Sequence, residues 1–252
     1  MRLLLGLALL VALGVLGAGC GGGGASTEEL QSQLPTIPLQ AEDIATIAAE
    51  GAWQVASEGA VTTSFGELSN GVPEAAAQQA GVTPIDGYER ELETTDDPPF
   101  RESPYPARAY SVALLFDSSS DAEDFFDAAA EIVRTTDWFA DHPGLEGGSV
   151  ADVETAEQAV VQAEQVDQLL WLHTSGLVSG DVLSDDIAIV RQGRIVAFAR
   201  APGFFPGAEA RLLSLSTFES GVLIPVAQRV KDPTARPEEP TSAPVSATPA
   251  SQ

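Results

Sequence analysis

Cysteine, lysine, asparagine and histidine are nearly missing from this 252-residue chain, which has one of each of the first three (Cys20, Lys231, Asn70) and two histidines, His142 and His173. A lone thiol cannot close an internal disulfide, so no covalent staple inside the chain holds the fold. Two histidines more than thirty residues apart, with no second thiol, fall short of the three or four ligands that zinc takes. Basic residues are scarce as well: 12 Lys and Arg stand against 37 Asp and Glu, for a formal charge of −25. That balance excludes nucleic acid as a partner, because phosphate binding needs cationic side chains to displace counterions. It also excludes electrostatic docking on anionic lipid. The glycine run Gly21 to Gly24 has no following lysine and no preceding strand, so it is not a phosphate loop.

Long apolar runs are missing too, with one exception at the start. Arg2 is followed by the 14 residues Leu3 to Leu16. As a helix they would reach about 21 Å at 1.5 Å per residue, against a hydrocarbon core of roughly 30 Å. A basic residue, a short apolar core and the small residues Gly17-Ala18-Gly19 are the parts of an export signal rather than of a spanning helix. Cys20 comes directly after them. Here the sequence resembles the lipobox of prokaryotic lipoproteins, with one departure: Gly17 occupies the slot where leucine is commonest, and Leu16 lies one place further back. The resemblance implies cleavage after residue 19, a diacylglyceryl group on Cys20 and attachment to the outer face of a cell membrane. Two or more acyl chains hold a protein stably where one does not. Loss of residues 1–19 removes one basic and no acidic residue, leaving 11 against 37 and a formal charge of −26.

Beyond the leader the chain reads as a linker (20–33), one domain (34–231) and a Pro-rich disordered tail (232–252). The linker is glycine followed by small polar residues. The tail carries five prolines and no large apolar residue beyond Val245. Within the domain, helices are expected over Ala41 to Ala49, over Pro73 to Ala80 with Gly81 closing it, and over Ser120 to Arg134, where Ser120 and Glu123 form a capping box. Asp117, Asp121, Asp124 and Asp127 surround that last helix without the alternation and glycine turn of a calcium loop.

Strands are expected over Val61 to Phe65, Ile85 to Thr95 and Tyr110 to Phe116, the last apolar on both faces and therefore inside the sheet. Ile187 to Val190 and Ile195 to Phe198 flank Gln192-Gly193 as a hairpin. Asp96 to Pro106, with four prolines, and Pro202 to Gly207 are expected to be loops. Val150 to Leu172 is equally compatible with helix and with two strands. Ala208 to Val230 resumes helical spacing with a break at Gly221 and Pro225. The expected class is α+β, a mainly antiparallel sheet with helices packed on one face.

No residue group announces catalysis. Gly176-Leu177-Val178-Ser179-Gly180 has the wrong spacing for a nucleophile elbow. His173, between Trp171-Leu172 and Thr174-Ser175, reads as a capping or partly buried histidine, and His142 sits in a Pro/Gly loop. The sequence accordingly points to no catalytic residue, no metal site and no cofactor. The remaining candidates are aromatic: Phe204 and Phe205, with Trp138 and Phe139 elsewhere, offer either a ligand or partner patch or loop-pinning core residues.

Tyr88 within Gly87-Tyr88-Glu89-Arg90, the Phe116 to Ala122 strand-to-helix junction, Gly180-Asp181, Val190-Arg191-Gln192-Gly193 and Val226-Ala227-Gln228-Arg229-Val230 carry a resemblance to uncharacterised bacterial envelope lipoproteins and to extracytoplasmic sensor-like domains. It implies a non-enzymatic binding or sensing role, with an envelope protein or a small apolar ligand as partner and the membrane held through Cys20. The alternative is a lipid-anchored hydrolase using carboxylates or a serine that the sequence does not single out.

Overall fold

The computed structural model describes residues 25–45, 53–94, 108–139, 150–158, 166–205, 207 and 211–232. The leader with Cys20, the His142 loop, the insert 96–106 and the tail beyond residue 232 lie outside the described residues. Among the described residues no helix is long and apolar enough to cross a membrane.

Seven antiparallel strands make one sheet: β1 (Trp53–Ala60), β2 (Asp86–Thr94), β3 (Arg108–Leu115), β4 (Ala151–Glu157), β5 (Gln168–Val178), β6 (Asp181–Gln192) and β7 (Ile195–Phe205), in the spatial order β1-β2-β3-β7-β6-β5-β4. The α+β class and the antiparallel sheet are as expected. The helices, however, cover both faces rather than one. On one face α3 (Val72–Ala80) and α4 (Ser119–Thr135) pack on Tyr110, Val112, Leu114, Ile187, Ile189 and Phe198. On the other, the segment Leu34 to Ile44 and the C-terminal helices α5 (Arg211–Phe218) and α6 (Ile224–Lys231) pack on Ala109, Ala113, Leu115, Ala188, Val190 and Ala199. Alternate residues of β3, β6 and β7 therefore serve two cores. That is why these strands read as continuous apolar runs rather than as an in/out alternation.

Local chemistry accounts for most boundaries. Ser118, not Ser120, caps α4: its Oγ accepts the Asp121 amide at 3.0 Å. Pro73 in the first turn and Gly81 at φ +68° bound α3 as the sequence indicates. The linker expectation stops short, because Thr27–Gln33 forms α1, with Ser26 Oγ accepting the Glu29 amide. α2 is described over Ala41–Ala45. Between α5 and α6 the five residues Glu219–Leu223 widen into a π turn at Gly221, just before Pro225, so the expected break is a bulge in an otherwise continuous helical run.

Three strand or loop expectations are corrected and one open reading is resolved. The strand placed at Val61 to Phe65 lies earlier, at β1; beyond Val61 the amides of Phe65 and Gly66 are taken by the carboxylates of Glu74 and Glu89, at 3.0 and 2.8 Å, instead of by a ladder. The ambiguous stretch from Val150 contains β4 and β5, so pairing overrides the helix-favouring Ala and Glu content. Gln192 pairs with Ile195, so the hairpin's two turn residues are Gly193, at φ +56°, and Arg194. Pro202 is not in a loop: β7 runs through Phe205. It tolerates proline because pairing with β3 ends at Arg200, leaving the flank of Pro202 on that side unpaired.

The crossing of β2 beneath Val61 leaves no room for a side chain. A Cβ on Gly87 would lie 2.5 Å from the Val61 carbonyl and 2.7 Å from Leu114, whereas a Cβ on Gly59 would meet nothing within 4 Å. Gly87→Ala is therefore expected to lower stability by about 1–3 kcal/mol through overpacking, and Gly59→Ala to leave it within about 0.5 kcal/mol. Urea unfolding of the two variants reads this contrast, and equal midpoints would remove it.

Candidate functional site

Strand β6 carries two consecutive carboxylates, Asp185 and Asp186, in the middle of the sheet, and both are buried, at 0% and 2% exposure. Successive strand residues point to opposite faces, so the two acids enter different cores and never share a cleft.

Asp185 meets Arg200 of β7 on the α3/α4 face. The guanidinium donates from Nε to both carboxylate oxygens, at 2.9 and 3.2 Å, and from Nη2 to one of them, and its Nη1 donates to the Leu68 carbonyl at 3.1 Å. Its face lies over the Trp138 ring, 4.8 Å from the centroid. Trp138 in turn donates Nε1–H to the Val133 carbonyl at 2.9 Å. A buried ion pair of this kind is tolerable because its remaining donors are satisfied. Trp138 and Phe139, at 2% and 7% exposure, are thus core residues rather than an exposed patch.

Asp186 faces the other core and builds the more unusual layer. Its Oδ1 lies 2.9 Å from Trp171 Nε1 and 2.8 Å from His173 Nδ1, both from β5. His173 is directly opposite Asp186 in the β5–β6 register, and the next pair on the same face is Ser175 opposite Ser184. Trp171 stacks on Phe218 of α5 at a centroid distance of 5.7 Å, which closes the layer on one side. Phe205 closes another: a Cβ on Gly203 would lie 2.7 Å from the Phe205 ring and 3.0 Å from Ser184 Oγ. Burial pushes the Asp186 carboxyl up to about 6, against the opposing pull of His173 and Trp171.

Chemically, a carboxylate on Nδ1 fixes an imidazole tautomer in the way a general base requires. Among the described residues, however, no serine hydroxyl bonds the His173 ring, and the ring is only 6% exposed. The arrangement is a hydrogen-bonded interior layer whose carboxyl can hold or release a proton. A second acidic group sits under the loop that follows β1. Tyr110 donates to Glu89 Oε2 at 2.8 Å, and burial together with the Glu89 charge raises the phenol. No cluster of three metal-ligating side chains occurs among the described residues.

Of the residues singled out from sequence, Cys20 and His142 lie outside the described residues, and His173 follows the buried alternative of its reading, inside β5, and not the capping one. Phe204 pairs with Leu183 and Phe205 with Val182 at the end of β7; Phe205 is half-buried, and the side chain of Phe204 is outside what is described. Sequence reasoning does not find the Asp186 layer, although a signal for it is present. Ser179, at φ +55°, and Gly180, at φ +95°, make a two-residue turn that sets Val178 against Asp181. Recognising that turn as a primed hairpin places His173 opposite Asp186 by counting.

Fold and layer together define an α+β domain on one antiparallel sheet, with ionisable side chains drawn into both of its cores. Its general shape is similar to the extracellular domain of PknH from Mycobacterium tuberculosis, at a TM-score of 0.43 and 9% identity, over 75% of this chain and 94% of that one. No protein-family model matches the chain. No curated protein matches it either.

The raised Asp186 group makes stability depend on pH with a definite sign. A carboxyl whose folded pKa exceeds its unfolded value of 3.8 favours the fold fully below that value, and the benefit is lost as pH rises through about 6. The loss amounts to about 3 kcal/mol, as an order of magnitude, at 1.36 kcal/mol per unit. Asp186→Asn keeps the acceptor oxygen but cannot ionise. Its urea midpoint relative to the wild type is expected to climb between pH 4 and pH 7, and a difference that stays flat or falls would show that the carboxyl is not the titrating group.

Proposed function

We propose that this chain is a lipid-anchored, extracytoplasmic binding or sensing domain without catalytic activity of its own. The observation that carries the reading is the order of residues 2–20: a basic residue, an apolar run too short to span, three small residues and the chain's one cysteine. A formal charge near −26 after removal of the leader leaves covalent lipid as the means of holding the domain at a membrane. The sheet contributes a scaffold whose buried carboxylates Asp185 and Asp186 are hydrogen-bonded internally. The end of β7, where Phe204 and Phe205 lie in the sequence, is the proposed place for a partner protein or a small apolar ligand.

Replacing the thiol tests the anchor. Cys20→Ser is expected to move the protein from the detergent phase to the aqueous phase in a cloud-point separation, and the N-terminal peptide of the wild type is expected to carry a diacylglyceryl mass. An aqueous wild type with an unmodified N-terminal peptide would end the reading. The patch is tested separately. With Phe204 and Phe205 both changed to Ala, the fluorescence of a bound anilinonaphthalene sulfonate probe is expected to drop several-fold while the urea midpoint changes little. An unchanged probe signal would assign both rings to packing.

A further inference from the structure

The sheet has two chemically different ends, and the first described residues of the chain are fastened to one of them. At that end lie the Gly193-Arg194 turn, the C-terminus of β3 and the start of β2, since Leu115 pairs with both Ile195 and Asp86. Arg194 ties them together: its Nε donates to the Phe116 carbonyl at 2.9 Å and its Nη1 to Thr27 Oγ1 at 3.0 Å, while the Phe116 amide donates to the Arg194 carbonyl at 2.9 Å. Thr27 opens α1 and Ser26 caps it, so the point where the chain enters the fold is fixed beside the turn.

The other end is marked by a different set of strand pairs. Trp53 pairs with Thr94, Glu93 with Arg108, Ala151 with Leu177, and Phe205 with Val182. The Ser179-Gly180 turn lies at this far end, because Val178 pairs with Asp181 beside the Val182–Phe205 pair.

From this geometry we infer that the Gly193-Arg194 end faces the bilayer and that the rim formed by the Ser179-Gly180 turn and Gly203 to Phe205 is turned away from it. The inference rests on acylation of Cys20. Six residue steps separate Cys20 from Ser26, a reach of at most about 22 Å at 3.3–3.6 Å per residue. The twelve residues of β6 set the two ends about 36 Å apart at roughly 3.3 Å per step. The leash is thus shorter than the sheet, and the domain cannot invert to bring the rim to the lipid. Lying flat on an anionic surface is opposed by the formal charge of −25 carried by the chain. The partner at the near end is a lipid surface reached by tether, not by adhesion.

Two exposed positions report the orientation in the intact, acylated protein. Asp117 adjoins Phe116 at the near end and Ser179 lies in the far turn; both are exposed. Asp117→Cys and Ser179→Cys, each labelled with a fluorophore while Cys20 is blocked by its lipid, are bound to vesicles of anionic phospholipid carrying a headgroup quencher. Quenching is expected to be several-fold stronger at position 117 than at 179. With twenty Gly/Ser residues inserted between Gly24 and Ala25, the contrast is expected to collapse. Equal or reversed quenching in protein that floats with the vesicles overturns the orientation alone. A contrast that survives the insertion overturns the tether in favour of direct adhesion. Wild-type protein that fails to float overturns the lipid reading and this inference together.

Discussion

Two adjacent carboxylates in the middle of a fully covered strand are the constraint around which this sheet is arranged. Burying one unpaired charge costs several kcal/mol, and β6 buries two in succession. Because the strand alternates, the cost is met independently on each face: by Arg200 from β7 on one, by Trp171 and His173 from β5 on the other. The neighbouring strands β7, β6 and β5 are therefore joined in fixed register by polar chemistry as well as by the ladder. A one-residue slip on either side would leave a carboxylate facing hydrocarbon.

The same logic extends to the segments that close the two cores. Arg200 also holds the Leu68 carbonyl and stacks on Trp138, which pins the approach to α3 and the end of α4. On the opposite face Arg90 donates to the carbonyls of Leu39 and Pro35, Arg229 donates to the carbonyl of Pro38 and to Asp43, and Ser111 Oγ accepts the Leu39 amide. Leu34, Ile37 and Leu39 are thereby sunk to 1% exposure or less. With 12 basic residues in the chain, several arginines serve as internal clamps on backbone carbonyls rather than as surface charge. That use leaves the outer surface strongly acidic.

The function proposed for the chain depends on this division of labour. A domain with a strongly acidic outer surface needs a separate means of reaching a membrane, and in the proposed reading the leader with Cys20 is that means. On the same proposal the attachment takes its direction from the route by which the chain enters the fold, past Ser26 and Thr27 to Arg194. The Asp186 carboxyl lies between the two ends, bonded to Trp171, whose ring stacks on Phe218 of α5.

By itself the sequence determined what depends on neighbours in the chain: the short apolar leader and its cysteine, the α3 boundaries at Pro73 and Gly81, the amphipathic α4, the all-apolar β3 and the break before Pro225. Each is written in periodicity, capping or turn chemistry acting over a few residues. Tertiary structure alone decided the strand identity of Ala151–Glu157, whose composition favours helix until β5 offers an edge to pair with. It decided that Pro202 continues a strand, because β3 ends beside it, and that helices cover both faces. It also chose between the capping and the buried readings of His173 and made it the partner of Asp186. That pairing joins residues thirteen apart through a hairpin register, which the Ser179-Gly180 turn and the burial of the strand faces fix together.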